Sequence, residues 1–163
     1  MHSENNKNGM KGKNNYTKFV GMLLASFSAM YITMYLNTYA IDHVYFSLTR
    51  FYMSCLGIAA MAIIMFVAMR NMYKNKKKNS AIILGSIVLF GTALGLVRAQ
   101  APIVGDVLWM KAMIPHHSIA ILTSERAAIQ DPEVKQLAAD IIKAQKKEIE
   151  EMKTMIKRLE AAE

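Results

Sequence analysis

The stretch Phe51-Tyr-Met-Ser-Cys-Leu-Gly-Ile-Ala-Ala-Met-Ala-Ile-Ile-Met-Phe-Val-Ala-Met69 runs for 19 residues without a charge. As a helix it spans about 28 Å, close to the hydrocarbon thickness of a bilayer. Residues 19–36 and 81–97 form two more charge-free runs, 18 and 17 residues long. In lipid each must be helical, because an unpaired backbone amide finds no partner there. Tyrosines gather at the edges of these runs (Tyr16, Tyr35, Tyr39, Tyr45, Tyr52, Tyr73), where amphipathic rings favour the interface. The rival reading, three buried helices of a soluble core, leaves too little polar surface in a chain of 163 residues that is 53% hydrophobic.

A net charge of +8 ordinarily suggests nucleic acid. Its distribution argues against that partner. Lys7, Lys11, Lys13 and Lys18 stand against Glu4 before the first run, and Arg70, Lys74, Lys76, Lys77 and Lys78 crowd between the second and third. Residues 99–163 hold nine basic and ten acidic side chains. Basic segments beside apolar runs mark the cytoplasmic side. The expected topology has three membrane passes, with residues 37–50 and everything after Val97 outside. This divides the chain into a basic cytoplasmic segment (1–18), a membrane region (19–97) and an extracytoplasmic domain (98–163). The expected location is the cell inner membrane, with the C-terminal domain periplasmic or extracellular. A cleaved signal peptide fits less well, since the first run is long and ends on Tyr31-Ile-Thr-Met-Tyr35; the small-x-small triplet Ala99-Gln100-Ala101 follows the third run.

The exported part reads as two helices. Asp106 is placed to cap the first, which runs to about Ile129. Asp131-Pro132-Glu133 restarts the chain, with Asp131 as N-cap and Pro132 at the first helical position, and the second helix continues to about Leu159. A break this short makes the two helices antiparallel neighbours. The expected fold is thus an all-α membrane protein: three transmembrane helices, then an extracytoplasmic antiparallel helical hairpin. Two helices bury too little for a robust core, so self-association into a four-helix bundle is expected.

Fourteen methionines exceed what core filling needs, and one cysteine excludes an internal disulfide. On a helical wheel Asp106, Met110, Met113 and His117 share one line. Ile141, Gln145, Glu148, Met152, Met155 and Leu159 form a matching stripe on the second helix. A turn near Asp131 sets His117 beside Gln145, Met113 near Glu148, Met110 opposite Met152 and Asp106 near Met155. Thioether and neutral imidazole suit a soft ion such as Cu(I) or Ag(I), and methionine survives an oxidising compartment where thiolates do not. Paired carboxylates for a hard ion are missing from these stripes apart from Asp106 and Glu148. Pro115 is expected to kink the first helix just before His116 and His117, swinging both imidazoles to one ion or turning His116 to a second helix pair.

Plainer readings compete. A methionine stripe at helical spacing also describes ordinary core. His43, beside Asp42, reads as an interfacial residue before an added ligand. The row Met61, Met65, Met69 reads as helix packing before a metal path, and Cys55 as a small apolar residue.

The stretch Asp106-Val-Leu-Trp-Met-Lys-Ala-Met-Ile-Pro-His-His117 resembles the signature of the domain-of-unknown-function 305 family. The likeness continues through Asp131-Pro-Glu-Val134, Gln145, Glu148-Ile149 and Met152. The resemblance implies a ferritin-like helical bundle, export, and copper or silver binding through Met and His as in its CopM-type members. Carried onto this chain, the implied ligands are Met110, Met113, His116, His117 and Met152, with Met155 a further addition. Thr123 stands where many members have another methionine, which implies a smaller ligand set.

The expected function is therefore extracytoplasmic binding of Cu(I) or Ag(I), by exchange rather than catalysis and with no organic cofactor, in copper homeostasis or metal tolerance. The expected partners are the bilayer, a second copy of the chain and a copper-handling protein, not nucleic acid. The alternative is an oligomerisation or partner-docking module whose stripe is ordinary core. A redox enzyme using copper or iron ranks third, for want of any substrate pocket or nucleophile–base pair in the pattern.

Overall fold

A computed structural model describes the backbone of residues 2–100 and 103–162 and the side chains of residues 15–100 and 103–162. Lys7, Lys11, Lys13 and Ala101 lie outside the described side chains. Five α-helices follow in order: α1 His2–Thr33, α2 Leu48–Ala68, α3 Lys76–Arg98, α4 Asp106–Arg126 and α5 Pro132–Glu160. Single 3₁₀ turns at Ile41–His43 and Arg70–Met72 sit in the first two connections. No strand occurs among the described residues. Of the helices, α2 and α3 are each long and apolar enough to cross a membrane.

The chain forms two compact units, and they do not follow the expected division at residue 97. One contains Met1–Tyr31 and Phe51–Ala99; the other contains Ile32–Arg50 and Gln100–Glu163.

In the first unit, Phe19, Ala62, Phe66 and Tyr73 form a buried cluster. The Tyr73 ring lies 5.0 Å from Tyr16, 5.6 Å from Phe19 and 5.7 Å from Phe66, within the range of favourable aromatic pairs. Farther along, Phe51 sets its ring edge-on to Phe27 and Tyr31. Gly57 lets α2 approach α1 closely: a Cβ there would come within 2.9 Å of the Met30 sulfur. Most apolar side chains of α3, Leu84, Ile87 and Val88 among them, are exposed.

In the second unit, α4 and α5 run antiparallel over one apolar seam. Met110, Ile114 and Ile121 meet Ile149, Met152 and Ile156, positions spaced three, four or seven apart that bring one face of each helix together. Ion pairs Lys111–Glu160 at 2.5 Å and Glu125–Lys146 at 3.0 Å fix the register. The end of α4 thus sits beside Lys146, and residues 132–140 of α5 extend past it. Asp131 caps α5 as the sequence indicates, accepting from the Glu133 and Val134 amides. Two boundaries are corrected. Gly105 is the N-cap of α4 and Asp106 its first residue, without a side-chain cap bond; the helix ends at Arg126, three residues before Ile129.

The α1–α2 connection also packs against this core. Tyr45 packs against the seam. The Tyr39 amide donates to Ser118 Oγ at 2.7 Å, and His43 Nδ1 meets the same oxygen at 3.0 Å. Lys153 reaches Asp42 at 2.6 Å. Arg50 stacks on the Tyr35 ring and donates to the carbonyls of Met34 and Pro115.

Candidate metal centre

The site is built where two rows of side chains meet across the seam. On α4, Met113 and His117 are four residues apart and share a face; on α5, Glu148 and Met152 do the same. His117 Nε2 and Glu148 Oε2 meet at 2.8 Å. An ionised carboxylate only accepts, so Nε2 donates to Glu148, and a singly protonated ring then carries its lone pair on Nδ1. That Nδ1 is buried and has no hydrogen-bond partner among the described residues, and neither has the buried Gln145 Oε1, one turn before Glu148. Buried acceptors are ordinarily satisfied, and the exceptions call for an explanation.

Three thioethers lie along the same helix pair. Met110 and Met152 are buried in the seam, and Met113 packs against it half-buried. Three expected residues stand apart. His116 is exposed, its ring 6.2 Å from that of His117 and tilted 62° to it. Asp106 is exposed at the start of α4. Met155 is exposed, lining a shallow depression with Lys147, Glu150, Glu151 and Thr154. The inner face of α5 is centred on Ile149 and Ile156, one residue C-terminal to the expected Glu148 and Met155. The expected pairs shift accordingly, and His117 meets Glu148 directly. Helix α4 continues without interruption through Pro115, whose carbonyl Arg50 holds at 3.3 Å.

Among the described residues, no three His, Cys, Asp or Glu side chains gather in a metal-binding group. The candidate donors of the α4–α5 pair are the His117 imidazole, the Glu148 carboxylate and the thioethers of Met110, Met113 and Met152. This chemistry fits a soft monovalent ion and fits hard divalent cations poorly.

Electrostatics beside the site centre on His43, which is 8% exposed. Burial holds its imidazole below the ordinary value, and Lys153 adds to that, while Asp42 and Glu150 oppose it. The Lys153 hydrogen bond holds the Asp42 carboxyl below its usual range. Burial alone would pull the Lys153 ammonium down, but Asp42 and Glu150 together raise it. Sequence reasoning missed Ser118, Tyr39, Asp42, Arg50 and Lys153 as partners of this region. The one signal present was an Asp-His pair in a connection expected on the same membrane side as the histidine pair.

Residues 98–163 match the family described as Domain of unknown function (DUF305). The chain is also 35% identical over 138 residues to the "Uncharacterized protein L153" of Acanthamoeba polyphaga mimivirus, covering 83% of this chain and 88% of that protein. No solved structure matches. An alignment of 138 residues reaches well beyond residues 98–163 into the apolar helices. The chain therefore belongs to the family of this mimivirus protein and carries the DUF305 domain at residues 98–163.

Proposed function

We propose that this is a membrane-anchored protein whose C-terminal helical hairpin binds Cu(I), or the similar Ag(I), on the side of the membrane opposite its basic segments. The ion is bound and exchanged, not used in catalysis. The observation that carries this reading is His117: Glu148 fixes one ring nitrogen, and the other is left buried and unpaired beside the Met113–Met152 rows. A carboxylate that orients a metal-binding imidazole is a recurrent arrangement. His117, Met113 and Met152 would hold the ion, with Met110 behind them and Glu148 as orienting group. His116, Met155 and Asp106 enter only through a second copy of the chain.

The topology has its own support. If α2 and α3 both cross, the chain returns to the side it left, so residues 32–50 and 100–163 must meet on one side. Their membership of one compact unit agrees. Tyr16 bonds Asn79 at 2.7 Å, which levels the start of the α1 apolar section with the basic turn and supports a third crossing by α1. The relative is viral, so sidedness rests on the basic segments rather than on a bacterial compartment; the periplasm is the bacterial form of the same reading.

The test is a competition titration of the full-length protein in neutral detergent against a Cu(I) chelator. A chelator-resistant ion lost in His117→Ala combined with Met113→Leu is expected. Equal affinity in wild type and double variant refutes the site. The full chain is required, because residues 32–50 form part of the unit.

A second reading, self-association through α5, has one specific observation in its favour. Val134 and Leu137 are 46% and 58% exposed on the overhanging turns, where the seam of a ferritin-like bundle would be completed by another copy. Sedimentation of Leu137→Glu distinguishes it, since a dimer built on these turns falls apart to monomer.

A further inference from the structure

The turn between α2 and α3 carries Arg70, Lys74, Lys76, Lys77 and Lys78, all exposed. No Asp or Glu occurs between Glu4 and Asp42, or between Asp42 and Asp106. The unit that contains this turn therefore has almost nothing of its own to neutralise it. Three of the lysines form the first turn of α3, where the helix dipole already places positive charge and disfavours cations. Such a cluster would ordinarily be splayed on a mobile loop, yet this one is fastened. Tyr73 is 5% exposed beneath it. The Tyr16 hydroxyl donates to Asn79 Oδ1 at 2.7 Å and accepts from the Asn75 amide at 3.1 Å. Asn79 Nδ2 closes onto the Tyr73 carbonyl at 2.9 Å.

We infer that this fastened turn is a binding platform for the phosphate groups of anionic membrane lipids. Its lysines stand together in the chain at the end of two membrane-length helices, where a membrane-spanning reading places lipid phosphates. An anion there relieves both the mutual repulsion and the dipole conflict. The aromatic lock keeps the cations together and reduces the ordering a ligand must impose. The inference rests on the membrane reading of α2 and α3 and is independent of the metal site.

Native mass spectrometry of the full-length protein in neutral detergent, with added phosphatidylglycerol, phosphatidylcholine or inorganic phosphate, tests it. Wild type is expected to retain phosphatidylglycerol at least about tenfold better than phosphatidylcholine. A variant with Lys74, Lys76, Lys77 and Lys78 replaced by Gln loses that preference. A control with the same charge loss on α5 (Lys135, Lys143, Lys147 and Lys157 to Gln) keeps it. Tyr16→Phe, which leaves every cation in place, weakens it. Absence of the preference in wild type, or equal loss in the control, overturns the proposal. Displacement of the lipid by equimolar inorganic phosphate overturns the lipid as the source. Recovery of the chain in the soluble fraction without detergent instead refutes the membrane reading beneath it.

Discussion

His117 on α4 and Glu148 on α5 join their helices through a 2.8 Å contact that uses one ring nitrogen and leaves the other buried without a partner. The contact sits beside two methionine rows, in a pair of helices whose remaining seam is aliphatic. An apolar seam gains nothing from an orphaned acceptor, which ordinarily costs about 1–3 kcal/mol. The proposed soft ion would remove that penalty and give the thioethers a role beyond packing.

In the proposed site Glu148 would act on the ion through His117. Glu148→Gln is expected to weaken Cu(I) binding by about 10–100-fold while the methionines remain in place. His117→Ala is expected to weaken it further, and Met155→Leu to leave it unchanged. Chelator competition on the purified full-length variants ranks the three, and equal values for all of them contradict the assignment.

Ser118 is fully buried and serves both the Tyr39 amide and the His43 ring. Ser118→Ala leaves the buried His43 ring and the part-buried Tyr39 amide short of a partner. A loss of about 1–3 kcal/mol is expected, visible as a lowered Tm for the full-length protein and faster amide exchange at residues 39–43. An unchanged Tm would mean that this connection is not fastened to α4.

Acid weakens the same contact. The folded His43 imidazole is held below its ordinary value, so on acidification the unfolded chain takes up the proton first. The contribution is complete above the unfolded value of about 6.5 and declines as pH falls from there toward the folded value. Asp42 is also held below its ordinary value, but from a carboxylate starting point, so its contribution is lost only at much lower pH. A lower Tm at pH 5.5 than at pH 7.5 is expected, and His43→Gln should reduce the difference.

Core and overhang should separate cleanly in stability. Ile114 and Ile149 are 0% and 1% exposed, so truncation of either to Ala costs about 2–5 kcal/mol. Val134→Ala, on the exposed turns, should change monomer stability by no more than about 0.5 kcal/mol. Denaturant unfolding of the two kinds of variant checks this.

Sequence carried the helix inventory because its signals are local. Long uncharged runs announce α2 and α3, and Asp131-Pro132-Glu133 announces the start of α5. The seam was read one residue off on α5. Glu148 and Ile149, like Met155 and Ile156, are neighbours on the wheel, and a pattern weighted toward metal donors favoured the wrong member of each pair. Placing the turn at Asp131 then misjudged the register, because the first turns of α5 extend past the end of α4, so that Glu125 faces Lys146. Nothing local marks the bond between His43 and Ser118, which are 75 residues apart. Pairing of that kind depends on which segments the topology returns to the same side.

The central claim is most directly tested by X-ray absorption at the copper edge on the full-length protein loaded with one Cu(I), as wild type and as His117→Ala. The account predicts mixed sulfur and nitrogen ligands in wild type, with the nitrogen contribution lost in the variant. Identical spectra for the two proteins, or a shell of oxygen alone, would contradict it.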